Sequence, residues 1–225
     1  MAIRTGGHQY SGASSTFGNN IQIDVTGMPD VWDWDPVTGL LRVSVNYALM
    51  DFNARLGQTP AGSGFLFIPH GQCSHVHLGG HAQTGGYGQL GRSFGLFGDH
   101  IESFEIITAD ARKQIIRRNS TDPGDQELFY AVLGGSPGNY GVLTHLTLRP
   151  HKDIDHPNSH GLKAAYLYDR DTLKKLFDVM AAMSDDANYP GDFDYCVTVL
   201  SAAEIVFEGF CPNMDETMAA QYKAQ

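Results

Sequence analysis

Residues 71–100, GQCSHVHLGGHAQTGGYGQLGRSFGLFGDH, hold nine glycines, four histidines and one cysteine. Ordering so many glycines is costly, because each gives up more backbone freedom than any other residue. A helix or strand gains nothing in return, so the stretch reads as long loops inside a compact domain, and such loops are usually functional. Glycines at 79, 80, 85, 86 and 88 let the backbone come close to a ligand and turn N–H groups toward an anion. Two more stretches share this character: RTGGHQYSG (residues 4–12), directly after a strand-like start, and LGGSPGNYG (residues 133–141). Together they point to one extended, phosphate-bearing cofactor wrapped by backbone. The P-loop pattern is absent, and neither a Rossmann nor an ATP site is indicated. Two rival readings use the same residues. Cys73, His75, His77 and His81, with His70, are competent transition-metal ligands. They lack C-x-x-C or H-E-x-x-H spacing, and the Gly79-Gly80 pair is a loose scaffold for ligands. The blander alternative is a surface loop with incidental histidines.

The chain as a whole is globular in composition, 42% apolar and 18% charged, and its 225 residues suffice for one large domain or two small ones. No apolar run approaches the length of a membrane span. A net charge of −10 argues against nucleic acid or anionic membrane as partner, since both select basic surfaces. It fits an enzyme acting on a neutral or cationic small molecule. Cys73, Cys196 and Cys211 are too sparse for a disulfide framework. Cys196 and Cys211 lie in successive strand-like segments and are read either as a pair or as two small buried thiols. No secretory leader is visible at MAIRTGGH, which leaves the compartment open.

Alternation of apolar and polar residues predicts strands at 21–28 and 40–47, joined as a hairpin by the turn DWDPVTG. Residues 47–58 read as a short amphipathic helix with Leu49, Met50, Phe52 and Leu56 as its apolar residues. Residues 101–119 read as strand, turn, strand; 125–135 as a helix stopped by glycines; 140–150 as a strand closed by proline. The aperiodic HKDIDHPNSH (151–160) marks a domain boundary. Beyond it come a strand at 163–168 and a helix from Asp171, its N-cap, with Leu173, Leu176, Phe177, Met180 and Ala181 on one face. Strands at 195–200 and 204–210 follow, and DETMAAQYKAQ begins another helix. The class is α+β: mostly antiparallel sheet with few helices.

The motifs resemble those of a known family. RTGGHQYSG is similar to the Arg-x-Gly-Gly-His loop of FAD-linked oxidoreductases of the vanillyl-alcohol oxidase superfamily, with its PCMH-type FAD-binding domain, and in particular of the berberine bridge enzyme-like branch. CSHVHLGGH (73–81) resembles that branch's Cys-x-x-Val-Gly-x-Gly-Gly-His. GGYGQLGRSFGLFGDHI resembles its Gly-Gly-Gly-Phe-Gly … Tyr-Gly-Leu-Ala-Ala-Asp-Asn-Val, and DQELFYAVLGGSPGNYGVLT its Asp-Leu-Phe-Trp-Ala-x-x-Gly-Gly … Gly-Val-x-Thr block. The resemblance runs over residues 3–150. It implies an FAD-binding domain at 1–150 and the beginning of an α/β substrate domain with antiparallel sheet at 151–225.

The resemblance also implies roles. His8 is expected to carry the flavin on its 8α-methyl and Cys73 to bond its C6, a bicovalent FAD. Thr5, Gly6, Gly7 and Gln9 are expected to line the pyrophosphate, and Val76 to sit beside C4a, where its size affects O2 access. His81 is expected on the ribityl side, with Gly79, Gly80, Gly85, Gly88, Asp99, His100, Gly141 and Val142 completing the shell. The implied activity is an oxidase or dehydrogenase taking hydride from an alcohol, sugar or amine C–H, with O2 as acceptor. Three residues depart from the branch: His77 stands where glycine is usual, His100 where asparagine is, and Ala111 where glycine is. The family's domain opens with a strand–helix–strand unit before the Arg-x-Gly-Gly-His loop, and its active-site tyrosine or acid lies further along. The expectation is therefore a truncated member, with catalytic residues outside these 225 and a non-catalytic flavin-binding remnant as the alternative.

Overall fold

The structure is a computed structural model, and it describes residues 1–62, 64–135, 137–200 and 204–211. The helix expected at DETMAAQYKAQ lies outside the described residues. The chain divides into two compact units: Met1–Gly88 with Leu96–Asp155, and Gln89–Gly95 with the chain from His156 on.

In the first unit β1 (Ala2–Arg4) pairs in parallel with β2 (Gln22–Asp24). This corrects the hairpin expected between 21–28 and 40–47. The hairpin is instead β3 (Trp32–Asp35) with β4 (Leu40–Ser44). Its turn is local chemistry: the Asp35 carboxylate accepts from Val37 N and Thr38 Oγ1, and Gly39 closes the turn at φ +68°. Helix α1 (Leu49–Leu56) follows, then β5 (Pro60–Ala61), β6 (Gly64–Phe67) and α2 (Leu78–Gln83).

A five-stranded antiparallel sheet, ordered β3-β4-β9-β7-β8, forms the main layer, with β7 at Ile101–Ile107, β8 at Lys113–Arg117 and β9 at Val142–Leu148. Period-two alternation sends Leu41, Val43, Phe104, Ile106, Ile116, Leu146 and Leu148 into the core. Leu49, Phe52 and Leu56 of α1, spaced i, i+3, i+7, join the same core. Met50, expected on that face, is exposed because it lies about 100° around the helix from Leu49. Phe52 packs between Trp32 and Phe97, with ring centroids at 5.6 and 6.0 Å.

The expected helix at 125–135 is two elements. Helix α4 (Pro123–Tyr130) starts earlier, because Asp122 caps the amides of Gly124 and Asp125 and Pro123 suits the first turn. A π-helical turn, Ala131–Gly135, continues it. The short β10 (His151–Lys152) pairs with β6. GYGQLG (86–91) has the spacing of a dinucleotide fingerprint. It follows helix α2 rather than a strand, so it is no Rossmann turn.

The second unit holds α3 (Gly91–Phe94), β11 (His160–Leu167), α5 (Arg170–Asp185), β12 (Asp194–Leu200) and β13 (Glu204–Cys211), the strands forming an antiparallel sheet β11-β13-β12. The cap of α5 is Asp169 and not Asp171: Asp169 is extended and its carboxylate accepts from Thr172 N. The sheltered stripe is Leu173, Leu176, Met180 and Met183, while Phe177 and Ala181 are exposed. Buried Asp194 accepts from the backbone amides of Arg92 and Ser93 and from Ser93 Oγ, which docks α3 on β12. The register sets Cys196 opposite Glu208. Cys211 is three residues further along β13, roughly 10 Å at strand rise, beyond what a disulfide spans. The two units together are α+β with antiparallel sheets and few helices.

Candidate cofactor site

The segment 73–79 is laced to the backbone of residues 45–50. Leu49 N donates to Val76 O (2.8 Å), Met50 N to Ser74 O (3.0 Å), Leu78 N to Tyr47 O (3.0 Å) and Gly79 N to Val45 O (3.1 Å). This fixes the entry to α2 on the core side of the first unit. The 4–12 loop, leaving β1, then lies against it. A Cβ at Gly6 would sit 2.7 Å from His75 O and 3.1 Å from His77 N, so only glycine permits that approach. A Cβ at Gly79 would meet Thr5 Cγ2 at 2.6 Å.

The third glycine-rich stretch reaches the same helix. The Gln83 amide donates to Gly79 O (2.7 Å) and accepts from Gly138 N (3.0 Å). Gly141, at φ +147°, brings the chain against β7, where a Cβ would stand 2.5 Å from Ile107 O. Past α2, Gly98 N donates to Gly85 O (2.9 Å) and Phe97 N to Gly86 O (3.1 Å), tying the 97–100 turn to the Gly85-Gly86 bend. A Cβ at Gly88 would strike the His70 carbonyl.

All three stretches therefore converge around α2. Cys73, Gly7, His8, Gln9 and Asp99 are exposed. Thr5, Gly6, Val76, Gly80, Gly85, Gly88, His100, Gly141 and Val142 are half-buried, and Gly79 and His81 are buried. The Gly6–His75 contact sets His8 two residues along one loop and Cys73 two residues along the other.

His81 is turned inward. Its Nε2 accepts from Gly71 N (3.1 Å) and its ring packs on Phe97. Burial, with help from nearby His70, pushes its pKa down to about 4. His77 is held below the ordinary imidazole range, chiefly by burial and then by His8, and its buried Nδ1 has no hydrogen-bond partner among the described residues. The Asp99 carboxylate accepts from Leu96 N, and His100 meets the His151 ring edge-on at 4.8 Å. Among the described residues no group of three or more His, Cys, Asp or Glu side chains is placed to hold a metal ion.

Two residues that no motif flags organise the site. One is Gln83. The other is Arg118, which donates to the carbonyls of Gly98, Asp99 and Ile101 and stacks on Phe129 at 5.2 Å. A lone Gln in HAQTGG and an Arg in IIRRN carry no spacing signal.

Residues 1–115 match the family of FAD binding domains. The chain belongs to this family. It is of the berberine bridge enzyme-like branch of FAD-linked oxidoreductases, as the motifs imply. It is 33% identical over 144 residues to berberine bridge enzyme-like 19 of Arabidopsis thaliana, 64% of this chain and 24% of that protein. It is 30% identical over 155 residues to aclacinomycin-N/aclacinomycin-A oxidase of Streptomyces galilaeus, 66% of this chain and 27% of that protein. Its fold superposes on Physcomitrella patens BBE-like 1 with a TM-score of 0.80 at 22% identity, over 99% of this chain and 45% of that one. The chain spans about a quarter of the length of these curated relatives.

An FAD-binding member needs a cradle for an anionic pyrophosphate, and the residues fit one. The backbone amides of Gly6, Gly7, His8 and Gln9 donate to no protein acceptor among the described residues. Gly7 is at φ +71°, the left-handed backbone found in turns that present amides to an anion.

Proposed function

We propose that this chain carries the flavin of an oxidase that acts on an alcohol, sugar or amine C–H of a small molecule, with FAD attached through His8 and Cys73. The observation that carries the reading is the run of unpaired amides from Gly6 to Gln9, set against the segment that bears Cys73. When bound, FAD supplies the electron chemistry, accepting hydride at N5 and yielding the electrons to O2.

The chain's own residues bind and orient. Thr5, Gly6, Gly7 and Gln9 offer backbone donors to the pyrophosphate. His8 and Cys73 are exposed nucleophiles, and an imidazole nitrogen and a thiolate are the side-chain groups suited to bond an electrophilic ring periphery. Val76, packed on the core and half-buried, is assigned to the C4a side, where its small size leaves O2 a path. Asp99, His100, Gly141 and Val142 complete the shell, and Gly85 with Gly88 shapes the bend beside it. The catalytic base is left unassigned within these residues. O2 as acceptor is supported by a relative whose name is that of an oxidase. The net charge of −10 favours a small-molecule substrate over nucleic acid. Among the described residues no helix is long and apolar enough to cross a membrane.

The test is anaerobic mixing of the FAD-loaded protein with a panel of sugars, benzylic alcohols and amines. Bleaching of the flavin band, its return on admitting air and formation of hydrogen peroxide are expected. A flavin band that no member of the panel bleaches would count against the proposed reaction. Bleaching that air does not reverse would count against O2 as acceptor.

A further inference from the structure

The geometry points to Gln83 as the positioning residue of the cofactor cradle: its buried amide locks the third glycine-rich stretch onto α2. This rests on the FAD reading of the site and names a residue that the family motifs do not.

Gln83 is 8% exposed, on the last turn of α2. A buried primary amide must find partners at both ends or cost the stability it displaces from water. Here both ends are used and each partner is a glycine backbone. Nε2 donates to Gly79 O, and Oε1 accepts from Gly138 N, 55 residues away in sequence. The donor end faces a carbonyl and the acceptor end an amide, so the amide orientation is set by its partners.

Gly79 is also the residue on which Thr5 rests, and a Cβ at Gly138 would lie 3.9 Å from Ile3 Cβ in β1. The Gln83 amide therefore joins the stretch carrying Gly138 to the helix that the 4–12 loop already touches. Gly138 itself is at φ +77°, a conformation that glycine adopts readily. Without the Gln83 amide, the Gly138 N–H loses this acceptor.

The experiment uses the full chain carrying His8→Ala and Cys73→Ala, so that FAD binds reversibly. Gln83→Met keeps side-chain volume and removes both hydrogen bonds. Its FAD affinity should fall about tenfold, the size of effect expected from losing a buried hydrogen-bonded amide. Amide exchange at Gly138 in the FAD-free protein should accelerate by a similar factor. Gln83→Glu adds a readout that packing alone does not move. As a carboxylate it can accept from Gly138 N but opposes Gly79 O; once protonated it donates again. The ratio of its FAD affinity to that of the parent should therefore recover as pH falls below neutrality. Parent-like FAD affinity in Gln83→Met, or parent-like Gly138 exchange, overturns the inference. Should Gln83→Met fold poorly, a pH-independent ratio for Gln83→Glu overturns it. A parent that binds no FAD overturns the cofactor reading and this inference with it, while unchanged binding by Gln83→Met in an FAD-binding parent overturns this inference alone.

Discussion

At Nε2, His81 takes the amide hydrogen of Gly71, which requires that nitrogen to be unprotonated. With the folded pKa near 4 and an ordinary value of 6.5, the unfolded chain takes up the proton first as pH falls. The contribution of His81 is thus complete above pH 6.5 and is lost as pH falls to 4, at a cost of roughly 3 kcal/mol. His81→Gln, whose amide oxygen can still accept, should flatten the urea-midpoint profile across that window; an unchanged slope would assign the acid sensitivity elsewhere. His8 and Cys73 belong to the same scale. Flavin should stay with acid-precipitated protein in either single alanine variant and leave it in the double variant. Val76→Leu should slow reoxidation of reduced flavin by O2 while sparing reduction by substrate. Equal slowing of both half-reactions would make Val76 a packing residue only.

Among the elements, Gly141 sets how closely the chain approaches β7. Gly141→Ala would put a methyl 2.5 Å from Ile107 O at φ +147°. The variant is expected to lose about 2 kcal/mol or more of stability from strain and displaced backbone, read as a lowered denaturation midpoint. Legibility from the sequence varies in the same way. Leu40–Ser44 and Val142–Leu148 were readable because each buries one face, and burial of alternate residues is what a period of two records. The parallel pairing of β1 with β2 was not, because Ala2 and Gln22 meet only through tertiary register. The α5 cap slipped by two residues because Asp169 and Asp171 are equally good caps in composition; only the extended backbone at Asp169 separates them. The glycine-rich stretches announced a ligand, and the motifs named it. Gln83, Arg118 and the inward turn of His81 depend on partners that no local pattern encodes.

For the whole molecule, a buried charge in the five-stranded sheet acts on stability at large. Glu105, with its side chain 9% exposed, is met by Arg42 at 2.7 Å, Lys113 at 2.6 Å and His145 at 3.4 Å from three other strands. Burial alone would raise its pKa, but hydrogen bonds from Arg42 and Lys113 outweigh it and hold the carboxyl down to about 2. That stability is complete above pH 4.5 and is lost as pH falls toward 2. Glu105→Gln should destabilise the chain at pH 7, because it leaves Arg42 and Lys113 unpaired beside a neutral amide, and the deficit should shrink at low pH. The sheet holds the fold, and the proposed function assigns the cofactor to the glycine-rich loops meeting at α2. The most direct test of that division is peptide mass analysis of the FAD-loaded protein after denaturation and proteolysis. One flavin joined to both the peptide containing His8 and the peptide containing Cys73 is the expected result. Recovery of both peptides unmodified, with the flavin free in solution, would contradict it.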